Sequence, residues 1–237
     1  MALTEVTSSN QMYLGNQKIN FAYLGSKNAI ISNTPQIVPL QVQWLIVGGG
    51  SSGASTNGLN GGVGGPGGTW LTGSFGFTPL YSSASVNVTP GRTGGGYPPY
   101  IGVQTASPSS ISITGSLLYS SNAGGNGGNG GVYGSSFCSA GAAGYVWLNG
   151  TAYAAGGGGG SAQPYSYSCG DGGPAGTPGM GGTGGSWPSG GGGRGVDGVA
   201  IFRYLGTTTR ATGGTVTTDG TYTYHTFESG SGTFTIT

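Results

Sequence analysis

Few residues of this chain can do acid–base, nucleophilic or metal chemistry. There is one histidine, His225; two cysteines, Cys138 and Cys169; and five acidic residues, of which Asp171, Asp197, Asp219 and Glu228 are isolated along the chain. General acid–base catalysis needs titratable groups within hydrogen-bond reach, and a serine or threonine nucleophile needs a base and a group that orients it. The fold would have to bring Asp197 or Asp219 to His225 to supply either. Two cysteines and a histidine with no second ligand at metal spacing do not make a zinc site. No metal, cofactor or catalytic residue is therefore expected, and the chain reads as a non-enzyme. Cys138 and Cys169 are either a disulfide joining two segments, worth about 2–4 kcal/mol, or two reduced thiols of a protein made in the cytoplasm.

One motif suggests a nucleotide. An apolar stretch through Trp44, Leu45, Ile46 and Val47 ends in Gly48-x-Gly50-x-x-Gly53, the spacing in which a strand hands a pyrophosphate to a helix N-terminus. The helix is missing from the sequence. Residues 54–68 hold seven glycines and Pro66 among Ser, Thr and Asn, all poor helix formers, and no acidic residue follows at the distance a ribose requires.

Recognition is better served by aromatic loops. Tyr97 and Tyr100 flank a Pro-Pro pair, Tyr165 and Tyr167 alternate with serine, and Trp187 stands between Ser186 and Pro188. Tyrosine and tryptophan give large rigid contact area and serine gives adaptable hydrogen bonds, and connecting segments commonly carry function. These rings either stack on a partner such as a surface glycan or cover the rest of the protein as its core.

The elements that must position such loops are unusual. Glycine supplies 57 of 237 residues and recurs every third position: Gly58, Gly61, Gly64, Gly67; Gly124, Gly127, Gly130 with a second phase from Gly125; and Gly170 through Gly185. A period of three fits neither helix nor strand. It matches the left-handed threefold extended chain, which has no internal hydrogen bonds, so its amides must pair with neighbouring chains or water. Several runs of one chain packed side by side satisfy them, with glycine permitting close backbone approach. A Cβ at Gly176 or Gly182 is expected not to fit between such runs.

Between the runs lie β segments: Trp70 to Phe77, Ser85 to Val88, Ser110 to Thr114, Tyr145 to Leu148 and Val199 to Tyr204. Thr215 to Thr218 and Thr221 to Phe227 flank Asp219-Gly220 as a hairpin, with Gly232 to Ile236 as its third strand. The first forty residues carry both lysines and a repeat, Tyr13-Leu14-Gly15 followed by Tyr23-Leu24-Gly25, each copy reading as strand, turn and strand. The expected fold is all-β with an irregular glycine-rich body: polyglycine II helices stacked between short strands, a C-terminal hairpin or three-stranded sheet, and a small N-terminal β module. The domains are 1–40 and 41–237. A net charge of +1, with no charged side chain between Lys27 and Arg92 or between Arg92 and Asp171, argues against a nucleic-acid partner. Neither a membrane span nor a secretory signal is read.

The combination of Trp44-Leu45-Ile46-Val47-Gly48-Gly49-Gly50, Val88-Thr89-Pro90-Gly91, the glycine tracts, Gly198 to Tyr204, and Ala211-Thr212-Gly213-Gly214 leading to Tyr224 to Phe227 and Gly232 to Ile236 resembles a glycine-rich domain of tailed-bacteriophage virion proteins. The paired Tyr-Leu-Gly units resemble short modules that precede such domains. The resemblance implies a protein of the virion surface, made in the host cytoplasm: a tail-fibre or tail-tip adhesin. Tyr13, Leu14, Gly15, Tyr23, Leu24 and Gly25 would anchor it to other virion proteins. Tyr97, Tyr100, Tyr165, Tyr167 and Trp187 would touch a host glycan or outer-membrane protein. A trimer or other symmetric assembly is expected, following the symmetry of the attachment site. A head or baseplate decoration protein without a receptor, an ice-binding protein of stacked glycine-triplet helices, and an exported matrix protein are the alternatives.

Overall fold

The computed structural model describes residues 39–55, 61–77, 83–91, 103, 105–113, 117–121, 139–160, 173, 176–186 and 190–237, together with three N-terminal strands by their backbone. The chain divides into two compact units, 1–40 and 41–237. The first holds β1 (Met12–Leu14), β2 (Gln17–Leu24) and β3 (Asn28–Ser32) as an antiparallel sheet in chain order. Tyr13 and Leu14 close β1 opposite Lys18 and Gln17, and Tyr23 and Leu24 close β2 opposite Ala29 and Asn28. The two copies of the repeat thus share β2.

The second unit is all-β, built on two five-stranded antiparallel sheets. Sheet 1 contains β4 (Leu40–Val47), β5 (Trp70–Phe77), β11 (Val199–Leu205), β13 (Thr215–Thr218) and β14 (Tyr222–Phe227), in the order β13-β14-β11-β4-β5. Sheet 2 contains β6 (Ser83–Val88), β7 (Ser110–Ile113), β8 (Leu117–Ser120), β12 (Ala211–Thr212) and β15 (Gly230–Ile236), in the order β12-β15-β6-β7-β8. A two-stranded ribbon, β9 (Tyr145–Val146) with β10 (Ala152–Tyr153), completes the strands described.

Strand alternation sets the core. In β6 and β7, Ala84, Val86, Val88, Ile111 and Ile113 are buried while Ser85, Asn87 and Ser112 face outward, the pattern of a sheet with one packed face. Phe234 on β15 stacks on Phe202 of β11 at 4.5 Å between ring centroids and meets Phe77 and His225 edge-on at 5.4 and 5.1 Å. Trp44 of β4 packs on Tyr119 of β8 at 4.7 Å. These contacts join the two sheets face to face. The strand β11 is buried on both faces from Val199 to Tyr204, because the other face of sheet 1 is also covered.

One expectation is corrected. The segment from Gly232 to Ile236 is not the third strand of the C-terminal hairpin. The strand β15 leaves β14 through Ser229 and Gly230, whose φ is +67°, and pairs with β6 and β12 in the opposite sheet. Crossing over places Phe234 between Phe77 and Phe202, where its ring is fully buried among aromatic partners.

The glycine runs form a separate layer of order, extended but outside the sheets. The run 178–186 lies at the centre. Its amides and carbonyls serve four others: Gly182 and Gly185 donate to Ser51 and Ala54, Gly181 and Gly184 donate to Ala155 and Gly158, Gly62, Gly65 and Gly68 donate to Gly185, Gly182 and Gly179, and Gly193 and Val196 donate to Thr183 and Met180. Each series advances three residues per bond. The neighbours also bond to one another, Ser51 and Ala54 to Pro66 and Val63, Gly157 and Gly160 to Gly65 and Gly62, Gly50 and Gly53 to Val196 and Gly193. Burial follows the same step: in Gly61-Gly62-Val63-Gly64-Gly65-Pro66 and in Gly181-Gly182-Thr183-Gly184-Gly185-Ser186, both glycines of each triplet are buried and the third residue is half-buried. A Cβ at Gly181, Gly182 or Gly184 would lie 1.8, 2.1 or 1.9 Å from a backbone oxygen of the adjacent run. In these two segments two positions in three must therefore be glycine, and the third turns outward; in the run 48–55 the small side chains of Ser51, Ser52, Ala54 and Ser55 are buried instead.

Gly176 departs from expectation in its cause. A Cβ there meets nothing within 4 Å, but φ is +82°. The residue is a turn glycine just before the run, held by backbone conformation rather than by space.

Candidate functional site

The outer face of sheet 1 is built from rows of cross-strand neighbours. Gln43 on β4, Arg203 on β11, Tyr224 on β14 and Thr217 on β13 stand opposite one another in turn, and Leu45, Ile201, Thr226 and Thr215 form the next row. The ribbon β9–β10 covers the β4–β11 side: Trp147, Tyr153 and Ala154 pack on Leu45, Val47, Val199 and Ile201. Its turn is fixed by Asn149-Gly150, where Gly150 has φ +76° and Asn149 Oδ1 accepts the Thr151 N–H at 3.1 Å. Trp147 Nε1 donates to Thr72 Oγ1 at 3.0 Å, and Thr72 donates in turn to the Trp44 carbonyl at 2.7 Å. Trp70 stacks on Tyr145 with centroids 3.6 Å apart. Ala154 takes a φ of +57°, rare for a residue with a Cβ, where the chain turns from Tyr153 into the run 154–160.

Beyond the edge of the ribbon the sheet face is covered only in part, with Thr217 exposed and Thr226 half-buried. A groove of about 370 Å³ lies there, with Val199, Ile201 and Pro178 among its lining, Asn149, Thr151 and Tyr153 from the ribbon, and Thr217, Asp219, Tyr224, Thr226 and Glu228 from the β13–β14 hairpin and its end. Its walls are held rigidly. Tyr153 O–H accepts from Asn149 Nδ2 at 2.8 Å, and burial pushes its phenol above the ordinary value. Tyr224 O–H donates to Asp219 Oδ2 at 2.6 Å, while Asp219 Oδ1 accepts the N–H groups of Thr221 and Tyr222 at 2.8 and 2.7 Å. These donors, Tyr224 first, hold the Asp219 carboxyl at about 2, well below the usual carboxylate range, so it stays ionised. Glu228 and Thr217 are exposed and take no hydrogen bond from the described residues.

Arg203 anchors this wall from beneath. It is 6 % exposed, its guanidinium 4.2 Å from the Tyr222 ring centroid and 5.4 Å from that of Trp147. Its Nε donates to Gln43 Oε1 at 2.8 Å and an Nη to the Leu148 carbonyl at 3.1 Å. Among the described residues no carboxylate forms an ion pair with it; two aromatic faces and neutral acceptors carry the charge.

His225 lies one residue from Tyr224 and so on the opposite face of β14, inside the sandwich and fully buried. Its Nδ1 is 2.8 Å from the Gly213 carbonyl and its Nε2 3.2 Å from Tyr204 O–H, which accepts the Arg210 N–H at 2.9 Å. Burial lowers its pKa, and a neutral ring with hydrogen on Nδ1 satisfies every partner. Asp219 is thus not brought to His225. Asp197 instead pairs with Arg194 and accepts the Gly91 N–H at 2.8 Å. In the glycine motif after β4, the amides of Gly50, Ser51, Gly53 and Ala54 are all spent on neighbouring runs, and residues 48–55 stay extended, leaving no helix N-terminus for a pyrophosphate. Among the described residues no cluster of three metal-ligating side chains occurs, and no helix is long and apolar enough to cross a membrane.

The aromatic residues singled out from sequence, Tyr97, Tyr100, Tyr165, Tyr167 and Trp187, lie outside the described residues, as do Cys138, Cys169, Gly15 and Gly25. The groove residues were missed by sequence reasoning, though two signals pointed to them. Asn149-Gly150 between Trp147 and Tyr153 is a hairpin turn, and Tyr222, Tyr224 and Thr226 alternate on one face of a strand. No family model matches the chain, and no curated protein matches it.

Proposed function

We propose that this chain is a structural protein of a bacteriophage virion, a tail-fibre or tail-tip component in which residues 1–40 attach to other virion proteins and residues 41–237 display recognition surfaces to the host. The construction of the glycine body carries the reading. Its runs bond to one another through series of backbone hydrogen bonds that step by three, as polyglycine II helices do. A body that consumes its own backbone groups and is built mostly of glycine with small buried residues such as Ser52 and Ala54 has little with which to discriminate partners. Recognition then falls to the loops between runs and to the open faces of the sheets they support, a rigid frame with variable surfaces. The N-terminal unit, with its tandem Tyr-Leu-Gly strands and its separate compactness, suits a small attachment module. Symmetric assembly, a trimer in the simplest case, follows the attachment site.

The test is binding of the labelled full chain, in its native oligomeric state, to intact cells of candidate bacterial hosts, with phage adsorption measured in competition. Saturable binding that blocks adsorption supports attachment. Incorporation into particles without any cell binding would replace it with a decoration role.

A further inference from the structure

We infer that the groove on the outer face of sheet 1 binds a saccharide ring that carries no negative charge. The inference rests on the attachment reading for its biological purpose, but the site is argued from its own chemistry. A pyranose presents an apolar C–H face and a rim of hydroxyls. The groove offers the matching pair: an apolar base where the buried cluster of Val199, Ile201, Tyr153 and Tyr224 reaches the surface only by its edges, and polar groups of the hairpin at the rim. The volume of about 370 Å³ suits one or two sugar rings rather than a folded protein surface, within the range of small-molecule sites.

Charge selects among sugars. The charged groups of the lining are two carboxylates, Asp219 and Glu228, and among the described residues no lysine or arginine lines the groove. Arg203, the nearest guanidinium described, is committed beneath Tyr222 and Trp147. Carboxylate oxygens accept hydrogen bonds from neighbouring hydroxyls or from a protonated amine, whereas a uronic or sialic acid would bring a third carboxylate beside two, of which Asp219 alone feels a cation, the already committed Arg203. Glu228, exposed and without a partner among the described residues, is the acceptor free to close on the ligand, and Thr217 is the free hydroxyl on the facing strand. The walls do not need to rearrange, because the Tyr153 and Tyr224 hydroxyls are already tethered to Asn149 and Asp219, so little ordering entropy opposes binding.

The experiment uses the full chain with D-galactose, D-glucosamine and D-glucuronic acid as probes, followed by saturation-transfer NMR and titration. Galactose or glucosamine should bind with Kd of the order of millimolar and at least ten-fold more tightly than glucuronic acid. The substitutions Glu228→Gln and Thr217→Arg are at exposed positions that support nothing in the fold; the first should erase at least half of the discrimination against glucuronic acid, and the second should abolish binding. Equal or tighter binding of glucuronic acid, no binding of any of the three, or full binding by Thr217→Arg would overturn the inference. Cell binding by the same variants separates the two ideas. Unchanged cell attachment by a Thr217→Arg chain that has lost sugar binding removes the groove from attachment and leaves both other findings standing, whereas sugar binding by a chain that attaches to no host sinks attachment alone.

Discussion

Gly182→Ala is the most direct test of the packed runs. The added methyl would sit 2.1 Å from the Gly193 oxygen and 2.6 Å from its carbon, both backbone atoms of the neighbouring run, so no side-chain rotation can relieve it. The runs must part by more than an ångström. Parting them weakens the bonds from Gly193 to Thr183 and from Val196 to Met180, each 2.7 Å, and the one from Gly53 to Gly193 at 3.0 Å. At about 0.5–1.5 kcal/mol net per hydrogen bond, with a further 1–3 kcal/mol for overpacking, the expected loss is roughly 2.5–7.5 kcal/mol. That is a large share of the 5–15 kcal/mol typical of a folded domain and corresponds to a fall in Tm of about 5 °C or more. Gly176→Ala is the control. It occupies the same phase of the triplet but open space, and should cost only the left-handed backbone strain of about 1–2 kcal/mol. Thermal and denaturant unfolding of both variants, with unchanged m-values as a check on two-state behaviour, measures the difference. If Gly182→Ala melts within 2 °C of the parent, or below neither the parent nor Gly176→Ala, the runs are not packed as described.

Two further outcomes follow from buried polar groups. The folded-state pKa of His225 lies below its ordinary value of 6.5, so the unfolded chain binds the proton first: its contribution is present above pH 6.5 and is lost as pH falls through the folded-state value. Stability should decline on acidification from pH 7.5, and His225→Phe should reduce that slope in parallel unfolding experiments; an unchanged slope would place the pH dependence elsewhere. Arg203→Met keeps the aliphatic bulk but strands the Gln43 amide oxygen and removes the charge between Trp147 and Tyr222. It should destabilise by about 2–4 kcal/mol and shift Trp147 fluorescence, and a neutral result by calorimetry would count against the stacked arrangement.

Local pattern in the sequence revealed much of this fold and little of the site. The apolar stretch through Val47, the alternation in Ser85 to Val88 and Ser110 to Ile113, and the turn at Asp219-Gly220 each encode a strand or hairpin over a few residues. The glycine triplets announce the need for partners, because a threefold chain cannot satisfy its own amides. Which run meets which is not local information: Ser51 and Gly182 are joined only by the completed array. The destination of β15 was hidden for a related reason, since Phe234 is drawn to Phe77 and Phe202 rather than to the strand that precedes it in sequence. The groove stayed hidden because its walls come from segments around Asn149 and Thr217, neither of which shows a recognition composition on its own. Tyrosine-rich loops drew notice by density, whereas Tyr153 and Tyr224 gain meaning only from the strand register that opposes them.

The central position of 178–186 has a consequence for biogenesis. Three of the four runs that it bonds, 48–55, 61–69 and 154–160, precede it in the chain, and the fourth, 190–198, follows it. At about 5–20 residues per second, the ribosome needs roughly ten seconds to travel from the first run to the one that unites them. Until then the early runs wait as hydrated extended segments, the state a glycine-rich chain already favours, with almost no apolar side chains to misassociate. Closure is a late, long-range event, and topology of that sort folds slowly. The lack of apolar side chains that denies the runs specificity also makes their wait safe: the runs of an unfinished copy have little sticky surface to offer those of its siblings.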